Sequence, residues 1–294
     1  MLRHRERKSA TTGAFVEVTA SSDTAKHPSG ARNARGPAPA AHAHAADEPL
    51  VAVDDISIWY GDPRGEPVLG HVSLIAREGE FICLVGPSGC GKSTLLKAIA
   101  GFTPVGHGSI RVRGAEVRGP GSDRGMVFQE FALFPWLTVQ ENVLFGDKAS
   151  AGSAQQRYDR ASHYLDLVGL TRFRDHHPSQ LSGGMRQRVA LARAWANQPT
   201  VLLMDEPFGA LDARTRQELQ ETLLRIFEEE RTLCFFVTHD TSEAAYLADR
   251  IFIMHAHGAR REELRIDVPR PRDRHSDAVQ EQVRNLDRLA WEAQ

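Results

Sequence analysis

The chain has 294 residues, enough for one large domain or two small ones, and its 36 Lys and Arg against 38 Asp and Glu give a net charge of -2. This balance argues against a dedicated nucleic-acid coat or a polybasic lipid binder. Three cysteines without a CxxC pair support neither a disulfide framework nor a structural zinc site, so a reducing cytosol fits best. No apolar run approaches the roughly 18 residues that span a bilayer, so a role at a membrane would need a partner.

The composition changes near residue 50. Residues 1–48 are rich in Ala, Ser, Thr, Pro, Gly and Arg and hold few large apolar side chains, which predicts a disordered N-terminal extension. Short apolar runs bounded by Gly, Asp and Pro then predict strands at 50–53, 56–58 and 68–75.

Three later runs are continuously apolar, as strands buried on both faces of a parallel sheet must be. They are residues 81–85, 201–204 and 234–237. Because ligands of open parallel sheets lie at the carboxyl ends of the strands, the residues just past these runs are expected to share one site. Those residues are 86–94, Asp205 with Glu206, and His239.

The first of these segments has the pattern G-x-x-x-x-G-K-[ST], in which glycines let backbone N–H groups surround phosphate oxygens. Its residues are Gly86, Pro87, Ser88, Gly89, Cys90, Gly91, Lys92 and Ser93, followed by Thr94 and a predicted helix to residue 100. We expect Lys92 to reach the β- and γ-phosphates and the Ser93 hydroxyl to coordinate Mg²⁺. Cys90 occupies a variable position of the pattern, which favours a small residue beside the nucleotide over a redox role.

Asp205 and Glu206 are adjacent carboxylates directly after a buried strand, where unpaired charge is unfavourable. Magnesium and a nucleotide would supply the opposing charge, with Asp205 holding the metal through water and Glu206 acting as general base. A solvated acidic turn before Pro207 is the alternative for an isolated pair. The phosphate loop upstream favours the metal site.

Residues 181–187, Leu-Ser-Gly-Gly-Met-Arg-Gln, open a predicted helix whose first N–H groups can face an anion. With this stretch 23 residues before Asp205, the chain resembles the ATP-binding subunits of ABC transporters over about residues 50–270. The resemblance implies that two ATP molecules are sandwiched in a head-to-tail homodimer. In that arrangement Ser182, Gly183 and Gly184 of one subunit contact the γ-phosphate held by the other.

The same resemblance implies roles for four further residues. Tyr60 would stack on adenine, and Gln129 would touch Mg²⁺ and relay the nucleotide state to a membrane subunit. Asp212 lies in the loop that crosses the dimer interface, and His239 would contact the γ-phosphate. Together these matches identify an ATP hydrolase that uses ATP and Mg²⁺, with Lys92, Gln129, Glu206 and His239 as its catalytic set.

The implied fold is α/β: an ABC ATPase domain at residues 49–270 with a RecA-like parallel-sheet core of the P-loop NTPase class and an antiparallel β subdomain. A helical insertion at about 131–200 would carry the signature. Residues 271–294 form a predicted tail whose Val279, Val283, Leu286 and Ala290 share one face of a short amphipathic helix.

Residues 119–126, 133–143 and 269–274 resemble the importer branch for nitrate, taurine and aliphatic sulfonates. The implied partners are a second ATPase subunit, transmembrane permease subunits and, indirectly, a solute-binding protein, at the cytoplasmic face of the cell membrane. No nucleic acid is expected. Soluble ABC ATPases of DNA repair or translation are the alternative, but they carry a long coiled-coil insertion or tandem ATPase units, and a P-loop kinase would not need the signature.

The stretch after Gln129 is unusually apolar for a loop beside a catalytic site. Its apolar residues could line a groove for a helix of the membrane partner or form the core of the helical insertion. The residues concerned are Phe131, Phe134, Pro135 and Trp136. The sequence leaves both interpretations open.

Overall fold

The structure, a computed structural model, describes residues 48–61, 64–146, 152–255 and 261–292. The predicted N-terminal extension lies outside these ranges apart from Glu48. The strands of the described residues are β1 (Val51–Ile58), β2 (Leu69–Ala76), β3 (Phe81–Val85), β4 (His107–Val112), β5 (Ala115–Glu116), β6 (Arg124–Val127), β7 (Val201–Asp205), β8 (Leu233–Val237), β9 (Arg250–Met254) and β10 (Arg261–Arg265). The helices are α1 (Lys92–Ala100), α2 (Val139–Gly146), α3 (Ala154–Leu167), α4 (Gly183–Ala196), α5 (Ala213–Glu230), α6 (Thr241–Leu247) and α7 (Asp277–Glu292).

A six-stranded sheet in the order β10-β9-β3-β8-β7-β6 positions the site. Strands β9, β3, β8, β7 and β6 run parallel, and β10 pairs antiparallel with β9. The three continuously apolar runs form the neighbouring strands β3, β8 and β7, so their carboxyl ends meet at one edge as predicted. Strands β6 and β9, which the apolar runs did not indicate, extend the same edge on either side.

Alternate side chains of β3 enter two different cores, because successive residues of a strand point to opposite faces. Phe81, Cys83 and Val85 pack with the helices on one face of the sheet. Ile82 and Leu84 pack with α1 and the smaller sheet on the other. Both faces are therefore covered, which accounts for the uninterrupted apolar run.

The smaller sheet is antiparallel, in the order β2-β1-β4-β5. The prediction of separate strands at 50–53 and 56–58 was wrong, because β1 runs through both. Asp55 lies at φ 45° where the register with β2 shifts, and its backbone N–H donates to Ser73 Oγ over 3.0 Å. This bulge lets polar residues interrupt the apolar pattern without ending the strand.

Helices α2, α3 and α4 lie within residues 131–200 and pack against one another. The C-terminal helix α7 packs on α6 through the buried side chains of Val279 and Leu286, two of the residues predicted for its apolar face. Thr241 Oγ1 of α6 also donates to Asp287 Oδ1 of α7 over 2.6 Å. Across the described ranges, the helices are all too short or too polar to span a bilayer.

Candidate active site

The loop between β3 and α1 requires glycine at two positions. Gly86 has φ 155°, and a Cβ there would lie 2.1 Å from the Met254 carbonyl oxygen at the end of β9. Gly91 is the N-cap of α1 at φ 98°. Glycine adopts such angles without steric penalty, so the chain turns directly from strand to helix at the edge of the sheet.

Lys92 folds back over this loop. Its Nζ donates to the carbonyl oxygens of Gly86 and Pro87, each over 2.8 Å, and lies 3.8 Å from Cys90 Sγ. The residue is only 6% exposed. The ammonium charge is thus held at the cleft by the loop itself.

The first turn of α1 is joined to the end of β7 by a hydrogen bond from Ser93 Oγ to Asp205 Oδ1 over 2.7 Å. A hydroxyl and a carboxylate are oxygen ligands of the kind that Mg²⁺ prefers. The described residues contain no group of three His, Cys, Asp or Glu side chains that could hold a metal alone. The pair therefore fits a magnesium ion that also takes ligands from water and phosphate, as expected for nucleotide sites.

Glu206 and His239 meet at the same edge. Glu206 Oε2 lies 3.5 Å from His239 Nδ1, and the Glu206 N–H donates to the Val237 carbonyl over 3.1 Å. A Cβ built on Gly209 would lie 3.6 Å from Gln129 Nε2 and 3.8 Å from Glu206 Oε2. Three of the predicted catalytic side chains are therefore neighbours.

The cleft beside the phosphate loop has a volume of ≈ 240 Å³. It is lined by Val68, Ser88, Gly89, Gly91, Lys92, Ser93, Thr94 and Glu206. Tyr60 flanks the cleft: its ring is 62% exposed, and its hydroxyl lies 3.4 Å from Thr94 Oγ1. The exposed ring is free of the core, as a residue that stacks on a ligand must be.

The signature and Asp212 occupy two adjacent helix starts. Ser182 caps α4 by accepting from the Met185 N–H over 3.3 Å, and Asp212 caps α5 by accepting from the Thr215 N–H over 3.0 Å. The Thr215 backbone N–H holds the pKa of Asp212 below its usual value. A Cβ on Gly184 would lie 2.4 Å from Thr215 Cγ2, so the two helix starts are in contact. Neither the signature nor Asp212 is among the described residues that line the cleft.

Four polar residues near His239 were not found by the sequence analysis. They are Arg216, Gln220, Glu243 and Arg274. Their spacing follows no motif, because they come from α5, α6 and the segment before α7. The sequence offered one signal, an acidic residue, Glu243, four positions after His239 in the first turn of α6.

A phosphate loop and carboxylates at the carboxyl edge of a parallel sheet define a P-loop nucleoside triphosphatase. The comparisons with known proteins specify the class further. The ABC transporter family profile matches residues 69–209. An uncharacterised ABC transporter ATP-binding protein of Methanocaldococcus jannaschii is 49% identical over 209 residues, covering 71% of this chain and 78% of that protein.

Two relatives have named solutes. The nitrate import ATP-binding protein of Synechocystis is 47% identical, covering 74% of this chain and 82% of that protein. The bicarbonate transport ATP-binding protein of Synechococcus elongatus is 46% identical, covering 77% and 84%. Among solved structures, a dimeric ATP-binding cassette bound to ADP and phosphate is 35% identical with a TM-score of 0.63, covering 74% of this chain and 99% of that one.

The chain belongs to the ABC transporter family as an ATP-binding subunit, and it is an ATP hydrolase. The predicted fold class is confirmed.

Proposed function

We propose that this chain powers the import of a small oxyanion, with nitrate, taurine and aliphatic sulfonates as the predicted solutes. The near-equal identity to a nitrate import protein and a bicarbonate transport protein supports the oxyanion class and adds bicarbonate to the candidates. Cells lacking this gene should lose uptake of one such anion and keep sugar uptake. We expect the parental gene to restore this uptake and the Glu206→Gln gene not to restore it. Loss of sugar uptake alone would contradict the proposal.

At the site, the phosphate loop and the positive end of α1 bind the phosphates of ATP, and Lys92 holds the β- and γ-phosphates. Ser93, Asp205 and Gln129 hold Mg²⁺, which neutralises charge on the phosphate oxygens when it is bound. The observation that carries this assignment is the 2.7 Å hydrogen bond from Ser93 to Asp205. This hydrogen bond brings together two oxygen atoms of the kind that Mg²⁺ prefers, one of them on the residue after Lys92, which supports the assignment.

Glu206 accepts a proton from water as the water oxygen bonds to the γ-phosphorus. The bond from that phosphorus to the β–γ bridging oxygen breaks, and the products are ADP and phosphate. His239, 3.5 Å from Glu206, donates a hydrogen bond to the γ-phosphate. Tyr60 stacks on the adenine from the flank of the cleft.

A homodimer completes each site. Ser182, Gly183 and Gly184 of one subunit face the γ-phosphate bound by the other, and Asp212 lies at the interface. Support comes from the dimeric state of the related cassette with ADP and phosphate. In the first turn of α4 the Met185 and Arg186 N–H groups donate to Ser182, and the N–H groups of Gly183 and Gly184, which have no carbonyl one helical turn earlier, are the ones that can bind an anion.

The permease subunits dock on an aromatic surface formed by Phe134, Trp136 and Phe145. Trp136 is 70% exposed, so the core interpretation fails for it. Phe134 packs at 4.3 Å from Phe145 and 5.6 Å from Trp136 between ring centroids. An exposed aromatic cluster of this kind fits the apolar side of a partner helix at the cytoplasmic membrane face. A solute-binding protein acts indirectly, through the permease.

The catalytic assignment is tested by Glu206→Gln, with Glu221→Gln on the exposed side of α5 as matched control. Loss of the general base should lower ATP hydrolysis by about 10²- to 10⁴-fold and leave MgATP binding unchanged. Single-turnover hydrolysis and equilibrium binding measure the two effects. Hydrolysis within twofold of the parent would remove Glu206 from this role.

A further inference from the structure

Glu243 is a buried carboxylate beside the loop that carries His239. It is 6% exposed, and both of its oxygens are bonded: Oε2 accepts from Thr238 Oγ1 over 2.6 Å and Oε1 from Gln220 Nε2 over 3.0 Å. Burial raises its pKa above the usual value, against the opposing effect of these hydrogen bonds. The side chain therefore joins the His239 loop to α5.

The connection continues into the segment before α7. Gln220 Oε1 accepts from Arg274 Nη1 over 2.5 Å. The same guanidinium lies 3.4 Å from the ring centroid of Tyr246, so it is fixed on two sides. We name the four side chains in this series the polar network: Arg274, which is half-buried, and Gln220, Glu243 and Thr238, which are buried.

The network ends at the catalytic residues. Thr238 precedes His239, and its Oγ1 accepts from the Asp240 N–H over 3.0 Å, so the hydroxyl bonded to Glu243 also fixes the backbone just past His239. A cavity of ≈ 20 Å³ is lined by Glu206, Thr238, His239 and Glu243 together with Phe208, Gly209, Arg216 and Asp240. One small space thus separates the network from the proposed general base.

Arg216 adds a branch toward the dimer interface. Its Nη2 donates to the Leu211 carbonyl over 3.1 Å, next to Asp212, and its Nε lies 3.6 Å from Glu243 Oε1. The loop before α5 and the loop before α6 therefore share one buried carboxylate.

Docking of the C-terminal segment does not need this network. Val279 and Leu286 bury apolar surface on the domain, and Arg272 Nη1 donates to the carbonyls of Ala245, Tyr246 and Ala248 at the end of α6. Buried polar groups offset their own desolvation at best, so they add geometric definition rather than much stability. The geometry that this network defines is that of residues 238–240.

We propose that Gln220 and Glu243 are positioning residues for His239, and that Arg274 couples the C-terminal segment to them, so that this segment sets the rate of ATP hydrolysis. The proposal rests on the catalytic roles proposed above for Glu206 and His239. The hydrogen bonds of the network join residues 220, 238, 240, 243 and 274, and none of them reaches the phosphate loop at 86–94, which binds ATP in the proposed mechanism. Its loss should therefore lower kcat and spare KM.

The test exchanges donor and acceptor between two positions. In Glu243→Gln, an amide NH₂ at position 243 faces the NH₂ of Gln220, so two donors oppose each other. In Gln220→Glu, two carboxylates oppose each other, and the hydrogen bond between positions 220 and 243 is again lost. In the double variant the amide at position 243 donates to the carboxylate at position 220, which still accepts from Arg274. Each single variant should lower kcat about tenfold with KM for ATP within twofold, and the double variant should recover to within about threefold of the parent.

Arg274→Met tests the C-terminal end of the network, with Arg288→Met as control. Arg288 is an exposed arginine of α7 that bonds only within its own helix, to Asn285 Oδ1 over 2.9 Å. We expect kcat to fall about threefold or more for Arg274→Met and to stay within 1.5-fold for Arg288→Met. Equal effects of the two substitutions would overturn the coupling to the C-terminal segment.

These measurements distinguish failure of the positioning role from failure of the proposed catalytic site. Single variants at 220 and 243 with parental kcat, or a double variant with no recovery, would overturn the positioning role. Glu206→Gln and His239→Ala are measured in parallel. If these two retain hydrolysis, the proposed catalytic site fails; if they abolish it while the network variants do not, only the positioning role fails.

Discussion

The phosphate cleft and the signature helix start differ in how much of their bonding is complete within one chain. In the cleft, Lys92 is buried and bonded to two loop carbonyls, and Ser93 is bonded to Asp205. At the start of α4, Ser182 is exposed, and its side chain accepts only from Met185 of its own helix. The cleft is preorganised by its own fold, whereas at the signature helix geometry leaves the N–H groups of Gly183 and Gly184 without a carbonyl one turn earlier, so that they can bind an anion. Under the proposed mechanism, that anion is the γ-phosphate on a second subunit.

The largest effect is expected from a substitution in the preorganised phosphate cleft. Lys92→Ala removes the charge held at the cleft, so we expect MgATP binding to weaken at least tenfold and hydrolysis to fall below about 1% of the parent. Lys97→Ala, later on the same helix, is the control and should retain both MgATP binding and ATP hydrolysis. Calorimetric binding and phosphate release measure them, and parental hydrolysis by Lys92→Ala would exclude the phosphate-loop assignment.

The next largest effect is expected from a substitution at the signature helix start, which leaves the phosphate cleft intact. Ser182→Arg places bulk and positive charge at the start of α4, so hydrolysis should be lost while each chain still binds MgATP at its own cleft. Mixed with Lys92→Ala, it should regain activity, because a mixed dimer holds one site with both Lys92 and Ser182 intact. Random pairing predicts recovery of about one quarter of the parental rate if the sites act independently. A mixture as inactive as its components would count against the shared site.

The smallest effect on catalysis is expected at the aromatic surface, which belongs neither to the phosphate cleft nor to the signature helix start. Trp136→Ala should leave the ATPase rate of the isolated subunit within twofold, because the ring is exposed, and should impair assembly with the permease. Tyr158→Ala, at another exposed aromatic residue, is the control. Co-purification with permease subunits reports assembly, and full assembly of Trp136→Ala would remove this surface from the interface.

Sequence reasoning located the cleft because its signals are local. The fixed spacing from Gly86 to Ser93 and the buried runs that precede Asp205 and His239 follow from strand burial and parallel topology. The parallel order then brings these residues together without further information.

Other features depend on contacts that no local pattern contains. The Asp55 bulge appeared as a strand break, since polar residues at 54–55 interrupt the apolar alternation. Glu243 and Arg274 are joined through Gln220 only because α5, α6 and the segment before α7 fold against one another. Trp136 was ambiguous because an aromatic residue in an apolar stretch fits both a core and an interface.

The most direct test of the shared site is the oligomeric state of Glu206→Gln with and without MgATP. Removing the base while keeping Lys92, Ser93 and Asp205 should preserve the γ-phosphate between the cleft of one subunit and Ser182 of the other. We therefore predict that size-exclusion chromatography with light scattering finds a stable dimer only with MgATP, and that adding Ser182→Arg dissolves it without loss of ATP binding. A Glu206→Gln protein that stays monomeric with ATP bound would contradict the account.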